Sequence, residues 1–256
     1  ETSKSDGLPF ASVDFGTDNF AAIVATDGSS AIYKGGAVLS ENRRFAKEHA
    51  KAVGIITKGH SRIHAESRHL NRISIHRENF IKDQLHKISR SVIGFCAEHK
   101  VSVLVLGQNK LWKQCSGMSD ANNQKFVQMP ITRLMQMIEY KAVMAGIAVV
   151  YQEESYTSKA SFIDNDSIPV YGVNDESAAF SGLRIKRGLY RCKDGMLVNA
   201  DLNGAANILR KAFPHAWEHR ACMSVFTDYS FLTSPKVYGF HELNPKGIPV
   251  KRIVGA

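Results

Sequence analysis

The chain has 256 residues, 44% hydrophobic and 22% charged, which is enough to bury the core of one large domain and too apolar for intrinsic disorder. Its formal net charge of +9 favours polyanionic partners through counterion release, although charge alone does not separate nucleic acid from an anionic membrane surface. Four cysteines, Cys96, Cys115, Cys192 and Cys222, lie far apart, which argues against a disulfide framework and an intact zinc knuckle and fits a reducing cytoplasm. With no signal peptide and no membrane-length apolar run, no membrane partner is expected; a chain opening on Glu1, with a strand almost at once, reads as a fragment or processed form.

Three strands in a meander are expected first, Phe10 to Gly16, Asn19 to Thr26 and Ser30 to Leu39, with Asp27-Gly28 supplying a hairpin turn. From about Glu41 to Lys100 the pattern turns helical, with a break near Lys58-Gly59-His60. Ile73, Phe80, Ile81, Leu85, Ile88 and Val92 recur at helical spacing and predict a long hairpin of two helices. That segment holds thirteen Lys or Arg against six Asp or Glu, and seven of the ten histidines, so it is the expected nucleic-acid face. Val101-Ser-Val-Leu-Val-Leu106 is a continuous apolar run of the kind buried on both faces of a parallel sheet. An amphipathic helix follows, with Met129, Leu134, Met137, Ile138 and Val143 on its apolar side and Gly146 at its end, and Ile147 to Glu154 resumes strand character. Residues 155–200 read as an irregular insertion. A helix is expected from about Asn203 to Ala212, before Pro214 opens a C-terminal extension, 214–256, of weak signals.

Two carboxylates stand in contexts that suit a metal ion. Asp14 closes the strand-like Phe10-Ala-Ser-Val-Asp14 just before Gly16 relaxes the backbone, at the working end of a sheet. Asp201 sits in Asn199-Ala-Asp201-Leu-Asn-Gly204, an Asx-rich helix start followed by Ala205, Ala206, Ile208 and Leu209. Carboxylates from a strand end and an apposed helix start can hold two hard cations about 3.5–4 Å apart, the arrangement used for in-line phosphoryl displacement. Oxygen ligands favour magnesium or manganese, so the pattern points to a metal-dependent nuclease.

Val13-Asp14-Phe-Gly16, the His86-Lys-Ile-Ser-Arg90 helix, Gly107-Gln-Asn-Lys-Leu-Trp-Lys-Gln114, Glu153-Glu-Ser-Tyr-Thr-Ser-Lys159 and the Asn199 to Gly204 run occur in an order that resembles the nuclease half of TnpB. TnpB proteins are transposon-encoded, RNA-guided DNA endonucleases related to Fanzor and to the type V CRISPR effectors. The likeness runs from about residue 10 to residue 213. It implies a RuvC-type nuclease domain over residues 1–213 with a ribonuclease-H-like α/β fold, a mixed five-stranded sheet flanked by helices. The helical hairpin (about 41–100) and the insertion (about 155–200) belong to that domain. It also implies Mg2+ or Mn2+ as cofactor, a DNA target, guide RNA held mainly by a missing upstream region, and a cytoplasmic, nucleoid-associated location.

Two departures qualify the resemblance. Most of the family ends the fourth strand with the middle catalytic Glu, but the corresponding stretch here is Leu106-Gly107-Gln108-Asn109. A Fanzor-like branch moves this Glu to the strand before Tyr-Thr-Ser-Lys, which corresponds to Glu154, with Glu153 as the neighbouring alternative. The resemblance thus implies Asp14, Glu154 and Asp201 as catalytic metal ligands. Adjacent strand residues point to opposite faces, so only one of the two glutamates serves. A long side chain closes much of the roughly 10 Å that separates alternate strands. In the insertion, where the family usually places two cysteine pairs, Ser161 and Asp164 stand at the first and only Cys192 remains of the second, so no structural zinc is expected. His86, Lys87, Arg90, Lys159, Arg184, Lys186 and Arg187 are the expected nucleic-acid contacts, with Arg191 and Lys193 adding charge to the insertion.

Competing readings are weaker. Asp14-Phe-Gly16 occurs in kinases, but no glycine-rich phosphate loop accompanies it. His215-Ala-Trp-Glu-His219 matches an inverted zinc-peptidase motif but follows a proline with little chain left for a third ligand, and His60 and His64 lack a third ligand altogether. A second functional class is a nuclease-impaired, RNA-guided DNA-binding protein, a repressor or a remnant, supported by the missing strand-four Glu.

Overall fold

A six-stranded mixed sheet with helices on both faces organises the computed structural model, which describes residues 9–58, 67–108, 129–172, 179–217 and 229–245. Strands β1 (Phe10–Asp14), β2 (Asn19–Ala25) and β3 (Ser30–Lys34) form the expected antiparallel meander. Gly28 takes the positive φ of 84° that the turn between β2 and β3 requires. Strand β4 (Val103–Gln108) lies parallel to β1, and β5 (Ala148–Glu153) parallel to β4. All seven residues of β2 are buried, because helices cover the central strands on both sides.

Alternation along β1 assigns the faces. Ala11 and Val13 join Leu104 and Leu106 in a core with α2 (Arg68–Glu98) and α3 (Ile131–Met144). Ser12 points the other way and donates from Oγ to the Ala205 carbonyl, 2.6 Å away, on α4 (Ala200–Ala212). Asp14 therefore shares the α4 face. Small Gly204, Ala205 and Ala206, all buried, let α4 lie close to the strands. Leu85 and Ile88 of α2 are almost fully buried, and each contributes about 1.5–3 kcal/mol by leaving water.

Several elements depart from the sequence reading. Strand β3 stops at Lys34 rather than Leu39, because the Gly35 N–H donates to Asp18 O at 2.7 Å and α1 (Gly36–Ile56) begins, burying Val38. The insertion read as irregular carries a three-stranded antiparallel sheet, β6 (Leu183–Lys186), β7 (Leu189–Arg191) and β8 (Leu197–Asn199). Strands of three or four residues carry too little periodicity to be read. Helix α4 starts at Ala200, three residues before the expected point. The main sheet has six strands rather than five: α5 (Ser230–Thr233) leads into β9 (Lys236–Tyr238), which pairs parallel to β3, followed by α6 (Phe240–Leu243). Tyr238 stacks on Tyr33 with ring centroids 5.0 Å apart, so this part of the C-terminal extension completes the sheet. His60, His64, Asn109 to Gln114, Cys115, Glu218, His219 and Cys222 lie outside the described residues.

Helices α1 and α2 are tied by polar contacts. Arg44 holds buried Glu41 through two hydrogen bonds of 2.5 and 2.8 Å, and Arg77 Nε donates to Asn42 Oδ1 at 2.8 Å. The Arg44 bonds lower the Glu41 carboxyl below its ordinary range, against the opposing effect of burial. A carboxyl lowered on folding stabilises the native state above its unfolded value near 4.3, and this contribution is lost as pH falls through the native value. Glu41→Gln is therefore expected to cost about 1 kcal/mol at pH 7, with the difference from the parent shrinking in acid; thermal unfolding from pH 7 down to pH 3 checks both points.

Candidate active site and metal centre

Three elements deliver one carboxylate each to a single cleft of 760 Å³. Asp14 ends β1, Glu154 follows β5 directly, and Asp201 is the second residue of α4. Asn199 caps α4: its Oδ1 accepts from the backbone N–H groups of Asp201 and Leu202 at 3.0 and 3.1 Å. This places Asp201 in the first turn, where the helix dipole favours negative charge.

Two glycines make room for the carboxylates. A Cβ at Gly204, one turn along α4 from Asp201, would stand 2.6 Å from Asp14 Oδ2. A Cβ at Gly107 would stand 3.1 Å from Glu154 Oε2 and 2.7 Å from Ile208 Cδ1. Gly107 lies in the stretch where the resemblance places the usual strand-four Glu. The Glu154 carboxylate reaches across from the neighbouring strand to the space beside that backbone.

The electrostatics follow from this crowding. Asp14 is held well above the usual carboxylate range, first by burial and then by the negative charges of Glu154 and Asp201; Arg184 and the Phe15 N–H pull it the other way. Asp201 accepts hydrogen bonds from Asn19 Nδ2 at 2.5 Å and Arg184 at 3.2 Å, and Arg187 pairs with Asp18 at 2.8 Å on the rim. Among the described residues no three His, Cys, Asp or Glu side chains already converge as ligands of one ion, and Asp201 is turned toward Asn19 and Arg184 instead. The donor set nevertheless fits a hard divalent cation. It is all oxygen, and a cation among the three carboxylates removes the like-charge cost that raises Asp14.

Glu153 faces elsewhere. Lys211, itself 9% exposed, donates to Glu153 Oε2 at 2.7 Å and to the Ser155 carbonyl at 3.0 Å. Burial opposes ionisation of Glu153, but hydrogen bonds from Lys211 and Ser155 outweigh it and hold the carboxyl below its ordinary range. The structure also divides the expected nucleic-acid contacts. Arg184 and Arg187 line the carboxylate cleft, while His86, Lys87 and Arg90 line a second cleft between α2 and α3 on the other face of the sheet. Lys186 is exposed on β6, and Lys159 lies with its Nζ 5.5 Å from the centre of the Tyr156 ring. Asn19, Lys211 and the space-giving glycines were missed by sequence reasoning. The positions of Gly107 and Gly204 inside motifs offered the signal.

In the insertion, Ser161, Asp164 and Cys192 come together. Ser161 Oγ donates to Asp164 Oδ2 at 2.6 Å, the same oxygen accepts from the Lys193 N–H at 3.0 Å, and Ser161 also hydrogen-bonds buried Cys192. Burial pushes the Cys192 thiol up, which disfavours the thiolate a metal needs.

The sheet order, the helix apposed to β1 and the carboxylates at their junction define a ribonuclease-H-like fold of the RuvC type. Comparison with known proteins agrees. The family model described as a probable transposase, OrfB_IS605, matches residues 1–113, and that of the Cas12f1-like TNB domain matches residues 132–208. The TnpB-like protein ORF457 of Acidianus two-tailed virus is 27% identical over 221 residues, covering 83% of this chain and 44% of that protein. The CRISPR-associated endodeoxyribonuclease Cas12f2 of a Micrarchaeota archaeon is 27% identical over 143 residues, covering 53% of this chain and 24% of that protein. Among solved structures, a Cas12f1–sgRNA–target DNA complex superposes with TM-score 0.55 at 15% identity, covering 78% of this chain and 49% of that one. A CRISPR-Cas12f ternary complex gives TM-score 0.51 at 17% identity, over 78% and 38%. The chain is thus similar to TnpB-like proteins and Cas12f nucleases, and it spans less than half the length of the curated relatives it matches.

Replacing a helical Gly by Ala ordinarily stabilises by up to about 1 kcal/mol. At Gly204 the new methyl must displace the Asp14 carboxylate. Gly204→Ala is therefore expected to leave unfolding free energy within about 1 kcal/mol of the parent while weakening Mn2+ affinity about tenfold or more, as a disturbed ligand shell does; chemical denaturation and calorimetric titration read the two effects separately.

Proposed function

We propose that this chain is the DNA-cutting, RuvC-type domain of an RNA-guided, transposon-associated endonuclease, with Asp14, Glu154 and Asp201 holding magnesium or manganese for phosphodiester hydrolysis by a two-metal mechanism. The observation that carries the reading is the Glu154 carboxylate beside Gly107, close enough to Asp14 to raise its pKa, in a cleft shared with Asp201. A middle carboxylate is thus supplied from the strand after the one that usually bears it. When bound, the divalent ions supply polarisation of the phosphoryl group and a lowered pKa for the attacking water.

The protein's own part is positioning. Asn199 and the α4 N-terminus orient Asp201, Gly204 admits Asp14, and Gly107 admits Glu154. Arg184 and Arg187, now paired with Asp201 and Asp18, exchange those partners for phosphate oxygens of the strand, a charge-assisted contact that suits guanidinium geometry. Lys34 and Ser158 line the same cleft. The hydrogen-bonded Ser161, Asp164 and Cys192 support an insertion that holds without structural zinc. The similar Cas12f1 structure is described as a complex with sgRNA and target DNA, which supports RNA and DNA partners here, and with them a nucleoid-associated, cytoplasmic setting. No helix of the described residues is long and apolar enough to cross a membrane.

Cleavage of labelled DNA with Mg2+ or Mn2+, with guide RNA and the upstream region supplied, tests the assignment. Asp14→Asn and Glu154→Gln are each expected to cut cutting rates by more than the roughly 10–100-fold typical of an outer-shell change. Glu153→Gln should still cut, while losing about 1–3 kcal/mol of stability because it strips Lys211 of its anion. Retained cutting by Asp14→Asn, or loss with Glu153→Gln but not Glu154→Gln, would overturn the proposed ligand set.

A further inference from the structure

The cleft between α2 and α3 combines features that the carboxylate chemistry does not use. It has a volume of 660 Å³ and is lined by Asp83, His86, Arg90, Tyr140, Lys141 and Met144, among others. Helix α3 buries Leu134, Met135 and Ile138 against the sheet, yet leaves Tyr140 45% and Met144 81% exposed. An aromatic ring and a polarisable thioether are thereby offered to solvent together.

Two of the cations around this apolar floor, Arg90 and Lys141, pair with no acid among the described residues. In the same cleft Lys87 pairs with Asp83, and outside it Arg133 pairs with Glu78 and, on α1, Arg44 with Glu41. Arg90 makes no hydrogen bond or ion pair among the described residues. Lys141 is held only by neutral acceptors, donating to the His86 carbonyl at 3.1 Å and Ser89 Oγ at 2.5 Å, and its Nζ sits 5.9 Å from the centre of the Tyr140 ring. Burial lowers the pKa of Lys141 and of His86, and each is lowered further by neighbouring positive charge, from Arg90 in one case and from Lys141, Lys82 and Arg133 in the other. An anion among these groups relieves that repulsion.

We propose that this cleft binds single-stranded RNA, with a base stacked on Tyr140, backbone phosphate on Arg90 and Lys141, and a ribose 2′-hydroxyl donating to Asp83. Aromatic stacking beside a basic track is how single strands are held without sequence preference. The acidic residue selects RNA. Asp83 Oδ2 accepts from Lys87 Nζ at 2.6 Å and Gln84 Nε2 at 3.1 Å, while Oδ1 accepts no hydrogen bond among the described residues. A carboxylate oxygen repels phosphate but suits the hydroxyl that DNA lacks. The position is consistent with a strand that is held rather than cut: α2 and α3 cover the face of β1 carrying Ala11 and Val13, opposite the face of Asp14.

The test is fluorescence anisotropy of the full chain with labelled oligouridine of about ten nucleotides and its deoxy counterpart, in EDTA so that cutting plays no part. Tyr140 and Arg90 are exposed, so their alanine variants are expected to fold, which circular dichroism checks. Tyr140→Ala should weaken RNA binding about tenfold, and Arg90→Ala should weaken it while flattening the dependence of log affinity on log salt by about 0.7. RNA should bind more tightly than DNA, and Asp83→Asn should narrow that preference. In parallel, 4-thiouridine RNA should crosslink to the peptide containing Tyr140. Parental RNA affinity in both alanine variants, absent binding, crosslinks confined to other segments, or DNA binding as tight as RNA would each overturn the proposal.

Discussion

Like charges gathered where the sheet ends against α4 are the constraint around which the rest of the molecule is arranged. Two carboxylates about 4 Å apart repel by on the order of 4 kcal/mol at an effective dielectric near 20, and burial raises the cost of each charge. Asp14 carries the mark of this, with its pKa raised by burial and by both neighbours. The surroundings limit the cost with short, local devices: an Asn199 cap and a helix dipole under Asp201, an Asn19 amide and an Arg184 guanidinium on its oxygens, and two glycines that keep methyl groups out of the way. The oxygen-only chemistry of the cluster fits a divalent cation, which would offset the repulsion that raises Asp14.

The sheet separates two kinds of positive charge. On the α4 face, Arg184 and Arg187 are paired with the acids of the cleft, so their charge is held in reserve beside the carboxylates. On the other face, Arg90 and Lys141 meet each other rather than an acid, above a floor that includes Tyr140 and Met144.

Much of this was legible in the chain itself, for physical reasons that can be named. The meander, the buried β4 run and the amphipathic α2 and α3 announce themselves because burial on one or two faces imposes period 2, continuous apolarity or period 3.6. The small strands of the insertion, the early start of α4 and the sixth strand did not, since three-residue strands such as β7, β8 and β9 have too few positions for a period and β9 depends on the β3 edge to exist. His86, Lys87 and Arg90 were grouped with Arg184 and Arg187 because net charge along a sequence does not say which face of a sheet receives it.

By itself the sequence placed Asp14 at a strand end and Asp201 at a helix start, because strand alternation and helix capping are local properties carried by neighbouring residues, and its ordered motifs implied the ribonuclease-H-like arrangement through resemblance to a known family. Only the tertiary structure shows where the two adjacent glutamates turn. Glu153 turns to Lys211 and Glu154 to the gap beside Gly107, a choice made by residues 58 and 47 positions away. A side chain's partner across a sheet depends on packing of distant segments, which no periodicity records, whereas its place on a strand or at a helix start is written in the residues beside it.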